Sequence, residues 1–208
     1  LSEYAKKGPV TNFVRTCIEI LSSLPSVVVG LFGYLIFVVQ FEYGFSIISG
    51  ALALTVFNLP QMTRNVEDSL RHVHHTQREA GLALGISRWE TVLHVVIPEA
   101  LPSIVTGIVL ASGRIFGEAA ALIYTAGQSA PALDWSNWNI FSVTSPISIF
   151  RQAETLAVHI WKVNSEGTIP DGTAVSAGSA AVLLIFILIF NLGARKLGSY
   201  LHKKLTSA

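Results

Sequence analysis

The sequence predicts an all-α fold, a polytopic transmembrane helical bundle, on three observations. The 208 residues are 51% hydrophobic and only 13% charged, with a mean hydropathy of +0.54, whereas a soluble domain carries roughly 25% charge. Four apolar segments approach the length needed to cross a hydrocarbon core of about 30 Å, which takes about 20 helical residues. None alternates with period two, and only helices or closed barrels satisfy their own backbone in lipid. Helices are therefore expected.

The first expected span is 18–40, IEILSSLPSVVVGLFGYLIFVVQ, and the second is 44–60, GFSIISGALALTVFNLP. The second is slightly short and borrows a turn at either end. The third is 101–125, LPSIVTGIVLASGRIFGEAAALIYT, and the fourth is 173–193, TAVSAGSAAVLLIFILIFNLG. Residues 61–100 connect the second and third spans, and 126–172 connect the third and fourth. Within the latter, 145–163 has a proline start and helical apolar spacing, which predicts a helix lying at the outer surface. Trp135, Trp138 and Trp161 suit an interfacial belt, and TIPDGT (168–173) reads as a turn.

Charge placement sets the expected orientation. Eleven of the 14 basic residues are Lys6, Lys7, Arg15, Arg64, Arg71, Arg78, Arg88, Arg195, Lys196, Lys203 and Lys204. They flank the first span, fill 61–100 and follow the fourth span. Positive residues favour the cytoplasmic side, so the N-terminal end, the 61–100 loop and the C-terminus are expected there, and 126–172 outside.

Several function classes lose support. A net charge of +1 gives no footprint for nucleic acid. Cys17 is the one cysteine, so no internal disulfide is possible. No G-x-x-x-x-G-K-[ST] occurs, so ATP is not expected to bind here by the P-loop route. The serines lack a nucleophile elbow, and no cofactor is expected. RHVHH (71–75) places His72 and His75 on one face, but nothing completes a metal site at ligand spacing. A solvated helix is the plainer reading, and a membrane metalloenzyme is the remote alternative. The chain starts at Leu1 without a signal-peptide pattern, and a fragment of a longer protein is expected.

The most informative stretch is 78–102, REAGLALGISRWETVLHVVIPEALP. Ala80, Ala83 and Leu84 make a small apolar face. Gly85 permits the left-handed conformation that ends a helix. Ser87 and Glu90 fit a capping box that starts the next. Helix, turn, helix is expected, a compact elbow suited to a groove on a partner protein.

This elbow resembles the EAA loop of bacterial ABC-importer permeases: E-A-A, three residues, G, nine residues, I, one residue, L-P. The chain offers Glu79-Ala80-Gly81, then Gly85, then Val95, Ile97 and Pro98. Gly81 and Val95 depart from the pattern, and Gly81 costs about 1 kcal/mol of helix stability relative to Ala. The resemblance extends through LPSVVVGLFGYLIF (24–37), TRNVEDSLRHV (63–73), GRIFGEAAALIYTAG (113–127) and LLIFILIFNLGARKLG (183–198) to the phosphate-specific permeases of the PstA type. It implies a MetI-like bundle with six spans in the full chain, two of them upstream. It implies a single permease domain over 1–208, with 61–100 as the coupling loop. By resemblance, Glu79, Ala80, Gly81 and Gly85 contact the ATPase. The implied partners are two copies of an ATP-binding subunit, a second, PstC-type permease, an external phosphate-binding protein, phosphate and the lipid bilayer. The implied location is the bacterial inner membrane.

Arg114 lies twelve residues past Pro102, about 18 Å along a helix and near mid-bilayer. A charge there costs at least about 2.5–3.5 kcal/mol and needs a partner or a wet path. Glu118 falls one turn on. The pair either neutralises itself or serves the pathway, with the Arg114 guanidinium offering its fork to an oxyanion and Glu118 holding it when the path is empty. Gly113 and Gly117 read as a helix-packing pair. The expected function is phosphate import through a permease. Another oxyanion or an amino acid is the near alternative, and a structural subunit without a path is the distant one.

Overall fold

The computed structural model describes residues 8–167 and 170–206. Its order is α1 (Pro9–Ser23), α2 (Ser26–Gly33), α3 (Ile47–Arg71), α4 (His75–Ala83), α5 (Arg88–Thr91), α6 (Ile97–Phe116), α7 (Ala120–Ile123), α8 (Leu156–Glu166) and α9 (Gly172–Thr206). Two π-helical segments, Tyr34–Gln40 and Val92–Val96, continue α2 and α5. No strand occurs among the described residues, and the all-α class stands.

The spans are fewer and cut differently than expected. Among the described residues, two helices are long and apolar enough to cross a membrane, Arg88–Phe116 and Gly172–Tyr200, and a third is added if Pro9–Ser23 and Ser26–Gln40 count as one broken span. Pro25 breaks that first stretch. Its ring fixes φ at −62°, it has no N–H to donate, and it starts α2 from an extended conformation with ψ 139°. The expected second span became α3, which runs on through Pro60 into the polar 61–71.

The expected third span begins earlier and ends sooner. Pro98 and Pro102 do not interrupt the run from Arg88 to Phe116. The π turn just before Pro98, closed by Ile97 N–H to Val92 O, widens the helix where a proline ring would crowd the preceding turn. The helix stops at Phe116. Gly117 and Glu118 donate to Arg114 O and Ile115 O, each at 3.1 Å, which tightens the last turn.

Outside that helix, 145–155 is not helical, contrary to expectation. Ser46, Ile47 and Ile48 donate to Thr125 O, Arg151 O and Ile149 O at 3.1, 2.9 and 2.9 Å. The loop carbonyls thus satisfy the orphan N–H groups of α3. Only Leu156–Glu166 forms a helix, capped by Thr155 and ended by Gly167 at φ 60°. Of the expected turn at 168–173, Thr168 and Ile169 lie outside the described residues; α9 begins at Gly172 and exposes Val182, Leu184, Ile185 and Leu188.

The chain divides into two compact units. One comprises Leu1–Ser22, Leu59–Ser112 and Ile189–Ala208, the other Ser23–Asn58 and Gly113–Leu188. In the first, Val73, Val96 and Ala100 form a core with Leu70 and Ile104. Glu67 bridges Arg15 and Arg71, both at 2.8 Å, and ties α1 to α3. In the second, Leu122, Ala126 and Val158 form the core. Gly30 and Gly50 let backbones close in there: an added β-carbon would lie 2.8 Å from Ala121 Cα and from Ala126 Cβ, respectively.

Candidate functional site

The elbow is built in the first unit from α4, a four-residue reversal and α5. Leu84 N–H donates to Ala80 O at 3.1 Å, and Gly85 N–H to Leu82 O at 3.0 Å. Gly85 has φ 81°, a conformation that costs a residue with a β-carbon about 1–2 kcal/mol. Ser87 and Glu90 form the expected capping box: Glu90 N–H donates to Ser87 Oγ at 3.2 Å and Ser87 N–H to Glu90 Oε2 at 2.9 Å. The helix–turn–helix read from the sequence is therefore present.

The named elbow residues take different places. Glu79 is exposed and sits 3.1 Å from His75 Nδ1 through Oε1. Ala80 is exposed, and Gly85 has nothing within 4 Å of an added β-carbon. Gly81 is buried against Thr91. It serves the seam between α4 and α5, not the outer face.

Two apolar side chains missing from the sequence-based set, Leu82 and Trp89, are exposed on the elbow beside Leu84, which the sequence had placed on its apolar face. Leu84 is 82% exposed, Trp89 60% and Leu82 43%. Their signal was a tryptophan and two leucines beside a helix-ending glycine in a polar loop. Each is a large apolar group left exposed in a polar loop. A groove of about 200 Å³ lies between His75, Glu79, Leu82, Arg88 and Thr91.

Two of the three histidines of 71–75 are engaged locally. His72 Nδ1 is 2.6 Å from Asp68 O, and His75 pairs with Glu79.

In the second unit, Arg114 and Glu118 are not an ion pair. Because α6 ends at Phe116, Glu118 is not one turn further along the same face. Glu118 Oε1 instead accepts from Ala121 N–H at 3.4 Å, at the start of α7. The Arg114 guanidinium lies over the Phe57 ring, 5.2 Å from its centroid. Arg114 itself is exposed. Its charge is thus held against an aromatic face, an attraction of about 0.5–2 kcal/mol depending on desolvation, with donors left toward the open side.

Gly117 is also exposed, and the nearest atom to an added β-carbon is Arg114 O at 3.6 Å, in the same turn. Among the described residues no second helix comes within 4 Å of that β-carbon. Close helix approach occurs at Gly30, Gly33 and Gly50 instead; Gly113 is half-buried.

Residues 1–207 match the family described as binding-protein-dependent transport system inner membrane component. The chain is 60% identical over 207 residues to the probable ABC transporter permease protein YqgI of Bacillus subtilis, covering 100% of this chain and 70% of that protein. It is 36% identical over 198 residues to the phosphate transport system permease protein PstA of Xylella fastidiosa, covering 95% and 64%. It is 40% identical over 152 residues to PstA 2 of Mycobacterium tuberculosis, covering 72% and 50%. The chain thus spans about two thirds or less of the length of these phosphate permeases. Among solved structures, the inward-facing MetNI methionine ABC transporter superposes with a TM-score of 0.63 at 18% identity, over 95% of this chain and 76% of that one. That likeness concerns the fold.

Proposed function

Because the chain belongs to the family of binding-protein-dependent transport system inner membrane components, we propose that it is the permease subunit of an ABC importer for inorganic phosphate. It is a transporter component rather than an enzyme, and a multi-pass membrane protein. ATP hydrolysis lies on a partner subunit.

The observation that carries the reading is the elbow. A rigid reversal, fixed by Gly85 and the Ser87–Glu90 box, presents Leu82, Leu84 and Trp89 outward from a polar surface. Such a knob fits a cleft on an ATP-binding subunit. Glu79, Ala80 and Gly85 supply its polar and small contacts, and Gly81 holds its shape. Arg64, Arg71, Arg78 and Arg88 in 61–100 favour the cytoplasmic side under the positive-inside rule, which counts basic residues and not net charge.

The phosphate assignment draws support from relatives whose names specify phosphate transport, at 36% and 40% identity. Arg114 adds a chemical reason, since an exposed guanidinium offers a planar fork of donors to an oxyanion. A second permease of the PstC type would face it across the path, and an external binding protein would deliver the anion. Mechanistically, nucleotide closure moves the elbow, the spans change access, and phosphate passes Arg114. The two access states must bind nucleotide unequally for that coupling to exist.

Radiolabelled phosphate uptake tests this, with the full-length protein and its partners in cells lacking their own high-affinity system. Wild type restores uptake. Gly85→Trp abolishes it and releases the ATPase during purification. Uptake of a different oxyanion or of an amino acid, with none of phosphate, would overturn the substrate assignment.

A further inference from the structure

We infer that Arg78 is a positioning residue that clamps the elbow to the end of α3, so that elbow and α3 move together. The inference rests on the coupling reading above and extends it to a residue outside the docking surface.

The geometry is specific. Arg78 lies in the middle of α4 and is half-buried. Its Nη2 donates to Leu70 O at 2.7 Å, and its Nη1 donates to Val73 O at 2.7 Å. Leu70 belongs to the last turn of α3, and Val73 lies just past it. Helix ends leave carbonyls unsatisfied and carry partial negative charge, which cations stabilise. One guanidinium therefore closes two acceptors at the exit of α3 from a different helix. A planar fork holds both bonds in one fixed geometry, whereas an ammonium offers rotatable donors without it.

The surroundings make the clamp mechanical rather than decorative. Val73, beside the clamp, packs with Val96 and Ala100, while Leu70 packs on the same core. Gly81 seats α4 on Thr91 of α5. Force on the elbow thus has two exits. One follows the continuous helix Arg88–Phe116. The other crosses from α4 to α3, where the three-residue link His72–His74 gives little stiffness by itself. Arg78 stiffens that second exit. Without it, the elbow still docks but drives one helix instead of two.

The test uses the assembled complex in proteoliposomes, with external binding protein and phosphate. Wild type, Arg78→Lys and Arg78→Gln are compared for ATPase co-purification, ATP turnover and phosphate moved per ATP. All three should retain the ATPase subunit and hydrolyse ATP. Phosphate moved per ATP should fall at least about tenfold in Arg78→Gln, the factor carried by losing even one of the two charged hydrogen bonds. Arg78→Lys should recover part of it. Wild-type transport per ATP in Arg78→Gln would overturn the clamp while leaving the coupling reading intact. Full uptake and ATPase retention in Gly85→Trp would overturn the coupling reading itself. Should Arg78→Gln not assemble, spin labels at Met62 and Thr76 in the otherwise wild-type complex decide. Their separation should not change between nucleotide-free and ATP-bound states; a clear shift on ATP binding would overturn the clamp.

Discussion

Gly81 sits so close to Thr91 that a β-carbon added at residue 81 would lie 2.8 Å from Thr91 Cγ2 and 3.1 Å from its Oγ1. Thr91 is 3% exposed, and its Oγ1 donates to Ser87 O at 3.0 Å, so it cannot swing aside without losing that bond. Gly81→Ala would return about 1 kcal/mol of helix propensity but overpack the seam at about 1–3 kcal/mol. Overpacking wins, and the melting temperature of the purified protein should fall. Adding Thr91→Ser removes Cγ2 and should restore most of the loss. Equal melting temperatures for wild type and Gly81→Ala would refute the argument.

Gly85 separates strain from crowding. Its φ is 81° and nothing lies within 4 Å of an added β-carbon. Gly85→Ala should therefore cost about 1–2 kcal/mol through backbone conformation alone, and Gly85→Asn less, because Asn tolerates the left-handed region. Denaturant unfolding of the three proteins gives the ranking. A change no larger for Ala than for Asn counts against it.

Ser87→Ala should loosen the start of the long helix. It removes the acceptor for Glu90 N–H and leaves Glu90 Oε2 with only the Ser87 N–H of its two Ser87 donors. An N-cap loss is worth about 1 kcal/mol. Amide hydrogen exchange at Trp89 to Thr91 should speed up roughly five- to tenfold, since exchange reads local opening free energy. Unchanged exchange there would rule the box out as the determinant of this helix start.

The elbow was legible in the sequence because each of its devices is local. A left-handed glycine and a Ser-x-x-Glu pair announce themselves within five residues, and both formed as expected. Span boundaries were less legible, because they depend on which proline is tolerated. Pro25 breaks a helix, whereas Pro60, Pro98 and Pro102 lie inside one. Apolar composition does not distinguish these cases. The loop 145–155 misled for a different reason. Its helical spacing is real, but its carbonyls are taken by the start of α3, a tertiary demand invisible to periodicity. The Arg114–Glu118 pair failed at the helix end after Phe116, where two residues four apart cease to share a face.

Among the described residues, the close helix approach lies at Gly30 rather than at Gly117. An added β-carbon at Gly30 would lie 2.8 Å from Ala121 Cα and 3.2 Å from Ala120 O, both backbone atoms of α7. Backbone cannot rotate away, so Gly30→Ala should destabilise the protein by about 1–3 kcal/mol. Gly178 in α9 has nothing within 4 Å, and Gly178→Ala should be neutral or slightly stabilising. Thermal unfolding in one detergent compares them. A neutral Gly30→Ala would mean that α2 and α7 can separate freely.

Arg114 and Phe57 give the sharpest functional prediction. The guanidinium is 5.2 Å from the ring centroid and exposed, so the ring orients the cation without consuming its donors. If those donors meet the transported anion, Arg114→Gln should lower uptake about tenfold to a hundredfold, the range for charged hydrogen bonds. Arg114→Lys keeps the charge and loses the fork, and should fall between. Phe57→Leu removes the orienting face, worth about 0.5–1 kcal/mol, and, because Phe57 is buried, also some core packing; in complexes that assemble normally it should raise the half-saturation concentration by about two- to fivefold. The order Gln, Lys, Leu separates charge, fork and orientation in one uptake assay with the complex intact. A purely structural Arg114 predicts a different order, in which assembly falls with uptake and Phe57→Leu is as harmful as Arg114→Lys. Normal uptake by Arg114→Gln in an assembled complex would remove Arg114 from the pathway altogether.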